Sequence, residues 1–184
     1  MTDFPADFQI RACQSGDIEG VTAIYAHAVR TGTATFEIDP PDAAEMRARW
    51  QARTAAGYPW IVAETGATIA GYAYAGPFHA RPAYNSTVED SIYLAPEFHQ
   101  RGIGAALLRA LIDEGERCGF RQMMALIGDS NNAGSIALHR ACGFTDAGVW
   151  RSVGWKFGRW IDVVVMQRAL GPGASAPAST QLHD

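Results

Sequence analysis

Glu89 and Asp90 stand side by side in a run that is otherwise apolar or small, TVEDSIYLA, residues 87–95. A carboxylate in such a strand is costly unless it is paired or used, so the two are the first candidates for acid–base work. Strict alternation puts Glu89, Ser91 and Tyr93 on one face, and Val88, Asp90, Ile92 and Leu94 on the other. Asp90 therefore shares the parity of the apolar residues, and Glu89 is the stronger candidate. A solvated strand-edge carboxylate is the plain alternative for either. A few residues later, EFHQRGIGAALLRALI carries Gly102 and Gly104 at the start of an apolar helical pattern. Unpaired amides and the positive end of the dipole make a helix start a seat for an anion. The glycines leave room for a pyrophosphate, and Arg101 adds a cation. No Lys-Ser/Thr pair follows Gly104 and no third glycine sits three residues beyond it, which excludes the P-loop and the dinucleotide fingerprint. A tight turn into a core helix is the competing reading. Finally, Asn132, Ser135 and His139 are spaced to share one helical face. Without other signals, Asn132 reads equally as a helix cap and His139 as a surface residue.

Several elements must position these groups. FQIRAC alternates like a strand, and Ser15 is placed to cap a helix bearing Ile18, Val21, Ile24, Tyr25 and Ala28 at helical spacing. A Gly/Pro loop, 31–41, precedes a second helix over 42–56, which Gly57 ends. Two strands flank Gly66 as a hairpin, and a second Pro/Gly loop, 76–86, leads to the Glu89 strand. The glycine-loop helix ends at Gly119, a strand over 121–128 follows, then a helix over 132–141 closed by Gly143, and two last strands. The order is β-α-α-β-β-β-α-β-α-β-β, which implies an α/β fold with a mixed, mostly antiparallel sheet and one parallel crossover. Residues 8–170 read as a single domain, and the Pro-rich polar tail, 171–184, as disordered.

Composition removes other classes. The 184 residues are 48% hydrophobic and 18% charged, with a net charge of −4 and no run of like charges. Nothing points to a nucleic-acid surface or a basic membrane helix, and no apolar stretch is long enough to span a bilayer. The start has no secretory pattern, and Cys13, Cys118 and Cys142 fit neither a zinc site nor a disulfide framework. The expectation is a cytoplasmic protein with reduced thiols and no metal. Of the 15 Lys+Arg residues, only Lys156 is a lysine.

The segment SIYLAPEFHQRGIGAALL resembles the acetyl-CoA motif of the GCN5-related N-acetyltransferases (GNAT), with His99 where Gln or Arg is usual. NNAGSIALHRACGF resembles the family's second cofactor-facing helix, with His139 at a position usually held by Tyr. The resemblance implies a GNAT fold, with acetyl-CoA as co-substrate. Its pyrophosphate would lie on the loop amides, which makes Arg101, Gly102, Ile103, Gly104, Ala105 and Ala106 cofactor-binding positions. Its pantetheine arm would run along Ile92, Tyr93 and Leu94, with Asn132 and Ser135 facing it. TATFEIDPP, AGYAYAGPFHARPAY, TVEDSIYL and VGWKFGRWIDVVVMQ are similar to the phosphinothricin N-acetyltransferase branch. That branch acetylates the amino group of phosphinothricin, methionine sulfoximine or similar analogues. By this resemblance Glu89 is the base. His139 is the acid, or a base in a Glu–His arrangement, and amides near Tyr93 and Leu94 meet the oxyanion. Phe36, Tyr74, Arg81, Tyr84 and Lys156 fall at substrate-lining positions, and a homodimer is expected. Other acceptors, a protein N-terminus or a metabolite amine, and a non-enzymatic CoA-binding module are the alternatives.

Overall fold

The computed structural model describes residues 8–178. Seven strands form one sheet: β1 (Gln9–Ala12), β2 (Trp60–Thr65), β3 (Thr68–Pro77), β4 (Thr87–Leu94), β5 (Gln122–Gly128), β6 (Thr145–Lys156) and β7 (Arg159–Ala169). Four helices pack on it: α1 (Ile18–Thr31), α2 (Ala43–Ala55), α3 (Ile103–Arg117) and α4 (Ala133–Ala141). The strand order is β1-β2-β3-β4-β5-β7-β6, antiparallel throughout except for β4 beside β5. This is the mixed sheet expected from the order of elements.

The period of two along the strands divides the core between the two faces. Ile61 and Ala63 of β2 pack with Leu107, Leu108 and Leu111 of α3. Trp60 and Val62, one residue out of phase, pack with Ile18, Val21 and Val29 of α1 and Met46 of α2. Burial of each Ile, Leu, Val and Met side chain among these contributes about 1.5–3 kcal/mol. Helix ends follow local chemistry. The Asp42 carboxylate accepts from the Glu45 N–H at 2.8 Å to cap α2.

Two local expectations are corrected. Ser15 does not cap α1. Residues 15–17 form a 3-10 turn, and the Ser15 hydroxyl accepts from Arg47 Nη1 at 2.7 Å. The acid of that turn, Asp17, is held instead by a forked pair of bonds from Arg11 at 2.7 and 2.8 Å. The start of the tail is also ordered. Residues 173–175 form a 3-10 turn, and Arg121 Nη2 donates to the carbonyls of Ala176 and Pro177 at 2.8 and 2.7 Å. The rest of the expected disordered tail, 179–184, lies outside the described residues.

One feature of the sheet positions the site. β4 and β5 pair only at Thr87–Glu89 against Gln122–Met124. Beyond these residues β5 continues beside β7 to Gly128, while β4 continues beside β3 to Leu94. Two parallel neighbours that stop pairing leave a wedge, and strand amides on its walls have no partner in the sheet.

Candidate active site

The wedge holds a cavity of about 460 Å³. One wall is β4 from Glu89 to Tyr93, the other β5 from Ala125 to Gly128. Thr35 and Phe36 of the α1–α2 loop close one side, and Asn132, Ser135 and His139 of α4 another. Trp150 and Val153 of β6 complete it. Of the sequence-predicted residues, Glu89, Ile92, Tyr93, Asn132, Ser135 and His139 are brought together here, with Phe36 and Tyr74 on the same cavity.

Glu89 and Asp90 point to opposite faces, as their parity requires. Glu89 is half-buried, and its carboxyl is pushed up to about 7 by burial and by the charge of Asp90, against the pull of Arg53. A carboxyl held there exchanges a proton with little cost near neutrality. Asp90 lies on the buried side, 6% exposed, and meets His139 Nε2 at 3.0 Å. The expected Glu–His arrangement is therefore corrected to Asp–His. α4 packs on the face that carries Asp90, and Glu89 faces away from it. His139 Nδ1 must donate to the Ser135 carbonyl at 2.8 Å, since a carbonyl only accepts. With Asp90 on the second nitrogen, both ring positions face acceptors. Burial pulls the imidazole down, but the Asp90 bond and charge and the Ser135 carbonyl outweigh it, so its pKa is raised.

At the end of β4, the chain turns through residues 96–98 to the glycine loop. Gly102 adopts φ 78° and Gln100 φ 60°, the left-handed region that only glycine enters freely. This curls the backbone into the start of α3, which has no side-chain cap. Ala106 N–H bonds to the Gly102 carbonyl at 3.1 Å, so the N–H groups of Ile103, Gly104 and Ala105 are the ones without a helical partner. The N–H groups at the start of α3 are thus open to an anion such as a pyrophosphate, while the Ala106 N–H is already bonded within the helix. Arg101 stacks over Phe98, 5.4 Å from its centroid. His99 at the motif's lead position turns its Nε2 back to the Leu94 carbonyl at 3.4 Å, tying the loop to the end of β4. Leu94 itself packs into the α3 core. Asn132 serves two purposes, capping α4 through the Ser135 N–H at 3.2 Å and lining the cavity.

Three predicted substrate residues are not on this cavity. Lys156 is corrected outright. It is 4% exposed, and its ammonium donates to the carbonyls of Gly32 and Thr35 at 2.9 and 2.8 Å. The lone lysine holds the α1–α2 loop, with Thr35 and Phe36 on it, against the sheet. Arg81 and Tyr84 sit on the exposed β3–β4 loop, where Tyr84 meets Phe78 and His79 edge-on or tilted. Sequence reading missed Trp150 and Val153, because nothing in a strand run marks which residue reaches a distant cleft. Among the described residues no group of three or more His, Cys, Asp and Glu side chains is arranged to hold a metal ion.

A model of the acetyltransferase (GNAT) family matches residues 21–144. The chain is 52% identical over 164 residues to the phosphinothricin N-acetyltransferase of Alcaligenes faecalis, covering 89% of this chain and 83% of that one. It is 40% identical over 169 residues to the L-methionine sulfoximine/L-methionine sulfone acetyltransferase of Pseudomonas aeruginosa, covering 91% and 98%. A GNAT superfamily phosphinothricin acetyltransferase from Sinorhizobium meliloti, solved with AcCoA, superposes with TM-score 0.91 at 43% identity, covering 95% of each chain.

Proposed function

The chain belongs to the acetyltransferase (GNAT) family, and from that premise we propose that it transfers the acetyl group of acetyl-CoA to the amino group of a small amino-acid analogue. L-phosphinothricin, methionine sulfoximine and methionine sulfone are the acceptors that its relatives' names supply. The observation that carries this reading is the divergence of β4 from β5, with Glu89 on the wall of the resulting cavity. The unpaired strand edge and the three free amides of α3 are the parts that would hold acetyl-CoA, which supplies the activated acetyl group. Glu89 takes the proton of the attacking amine, directly or through a water. His139, held between Asp90 and the Ser135 carbonyl, is a fixed proton-bearing group at the β4–α4 corner and is not the base.

A small acceptor is favoured over a peptide because Phe36, Trp150 and Val153 stand across the cavity from β4. The test is thiol release from acetyl-CoA with the three analogues and a peptide bearing a free N-terminus. Release with any of the analogues and none with the peptide supports the reading. Turnover confined to the peptide would replace it.

We further propose a homodimer built on the β6–β7 edge. Trp155, Phe157 and Trp160 there are 57%, 56% and 60% exposed, a density of bare aromatic surface unusual for a monomer. Trp150 and Val153 of the same strand line the cavity, so a second copy on this edge would adjoin the acceptor site. Light scattering should report twice the 19.8 kDa chain mass; the single-chain mass would rule the dimer out. The three cysteines are free thiols, which supports a cytoplasmic setting.

A further inference from the structure

With Lys156 committed to backbone carbonyls and Arg81 off the cavity, the acceptor's acid group lacks an obvious cation within the protomer. Arg53, in the last turn of α2, shares a cavity wall with the base. Its guanidinium lies over the Tyr74 ring, 4.8 Å from the centroid. It lines two smaller cavities of about 90 and 240 Å³, and Glu89 and Ser91 stand on the wall of the first. Tyr74 is common to both of these and to the main cavity. Gly76 of β3 keeps the space open: a Cβ there would fall 2.0 Å from Arg53 Nη1.

Two observations mark this space as an unfinished site. Among the described residues, the half-buried Arg53 guanidinium has neither an ion pair nor a side-chain hydrogen bond. The neighbouring Arg49 is different, since Glu37 meets it at 2.6 Å. In addition, Trp60 Nε1 and the Tyr72 hydroxyl, both buried, have no partner and belong to the wall of the larger cavity. Buried donors without acceptors are rare in folded proteins. A carboxylate offers only acceptor positions and matches a guanidinium in a planar fork.

We propose that Arg53 binds the α-carboxylate of the acceptor, with Glu89 facing the amine on the same carbon. A base and a guanidinium on one 90 Å³ cavity read the α-amino-acid unit and leave the side chain to the larger spaces. This rests on the amino-acid reading of the acceptor. It also explains in physical terms how one site would take a phosphinate, a sulfoximine and a sulfone, whose common part is that unit.

The experiment compares L-methionine sulfone with its carboxamide in the wild type, Arg53→Gln and Arg53→Lys. A hydrogen-bonded charge pair of this kind predicts that Arg53→Gln raises KM for the acid at least about tenfold. The KM for acetyl-CoA should hold, kcat/KM for the carboxamide should fall far less than kcat/KM for the acid, and Arg53→Lys should recover part of the loss. Equal losses on acid and carboxamide, or no loss, would overturn the assignment. A wild type that acetylates neither compound nor any other analogue would instead defeat the acceptor reading itself, and the proposal with it.

Discussion

Glu89→Gln lowers kcat by at least about 100-fold, the lower end of what a positioned general base contributes, while the KM for acetyl-CoA holds. The reason is the acceptor's own chemistry. A free α-amine is largely protonated at neutral pH, and only the neutral amine can attack a thioester. Glu89 stands on the cavity wall with its carboxyl at about 7, where it is partly ionised at the pH of reaction and basic enough to keep the proton it takes. Glutamine preserves the shape and removes the base. Because the parts proposed to hold the cofactor are the β4 edge and the α3 amides, acetyl-CoA binding is expected not to depend on that carboxylate. An unchanged kcat would remove Glu89 from the mechanism.

Asp90→Ala destabilises the fold by about 3–5 kcal/mol, as expected when one partner of a buried pair is deleted and the other is left without compensation. Both members are almost wholly inaccessible, at 6% and 2% exposure, so solvent does little to screen the pair. Its pH dependence has a definite sign. The folded-state pKa of His139 is raised above the ordinary value of 6.5. Its stabilisation is therefore complete below 6.5 and fades as pH rises through the raised value. Glu89 acts in the same sense at lower pH, since its carboxyl moves from 4.5 to about 7 on folding. Denaturant titrations in the Glu89→Gln background isolate the histidine. The wild-type Asp90 should lose stability above pH 6.5, and Asp90→Ala should be lower and flatter there. Equal curves for the two would show that the pair contributes nothing.

Much of this was legible in the sequence because it is local. The glycines at 57, 66, 119 and 143 all adopt positive φ where helices or a hairpin end, as their type allows. The parity of β4 placed Glu89 and Asp90 on opposite faces before any contact was known. The glycine loop's resemblance to a pyrophosphate seat is local too, and the structure leaves the amides of Ile103, Gly104 and Ala105 without a helical partner while the Ala106 amide is bonded to Gly102. What could not be read is non-local. His139 finds Asp90 across 49 positions, so the buried pair has no periodic trace. Lys156 reaches carbonyls 121 and 124 residues away, so its rarity marked an importance without revealing its purpose. The divergence of β4 from β5 is a property of two neighbours in space, and each strand alone looks like an ordinary buried run.

The pH profile of kcat/KM for methionine sulfone, with wild type and Glu89→Gln side by side, tests the account at its centre. The wild type should gain activity with pH through a step near 7, the value to which burial and Asp90 raise the carboxyl, below the step of the amine itself. Glu89→Gln should lose the step near 7 and keep only the amine's. A wild-type profile without that step, or a Gln variant that retains it, would contradict Glu89 as the base.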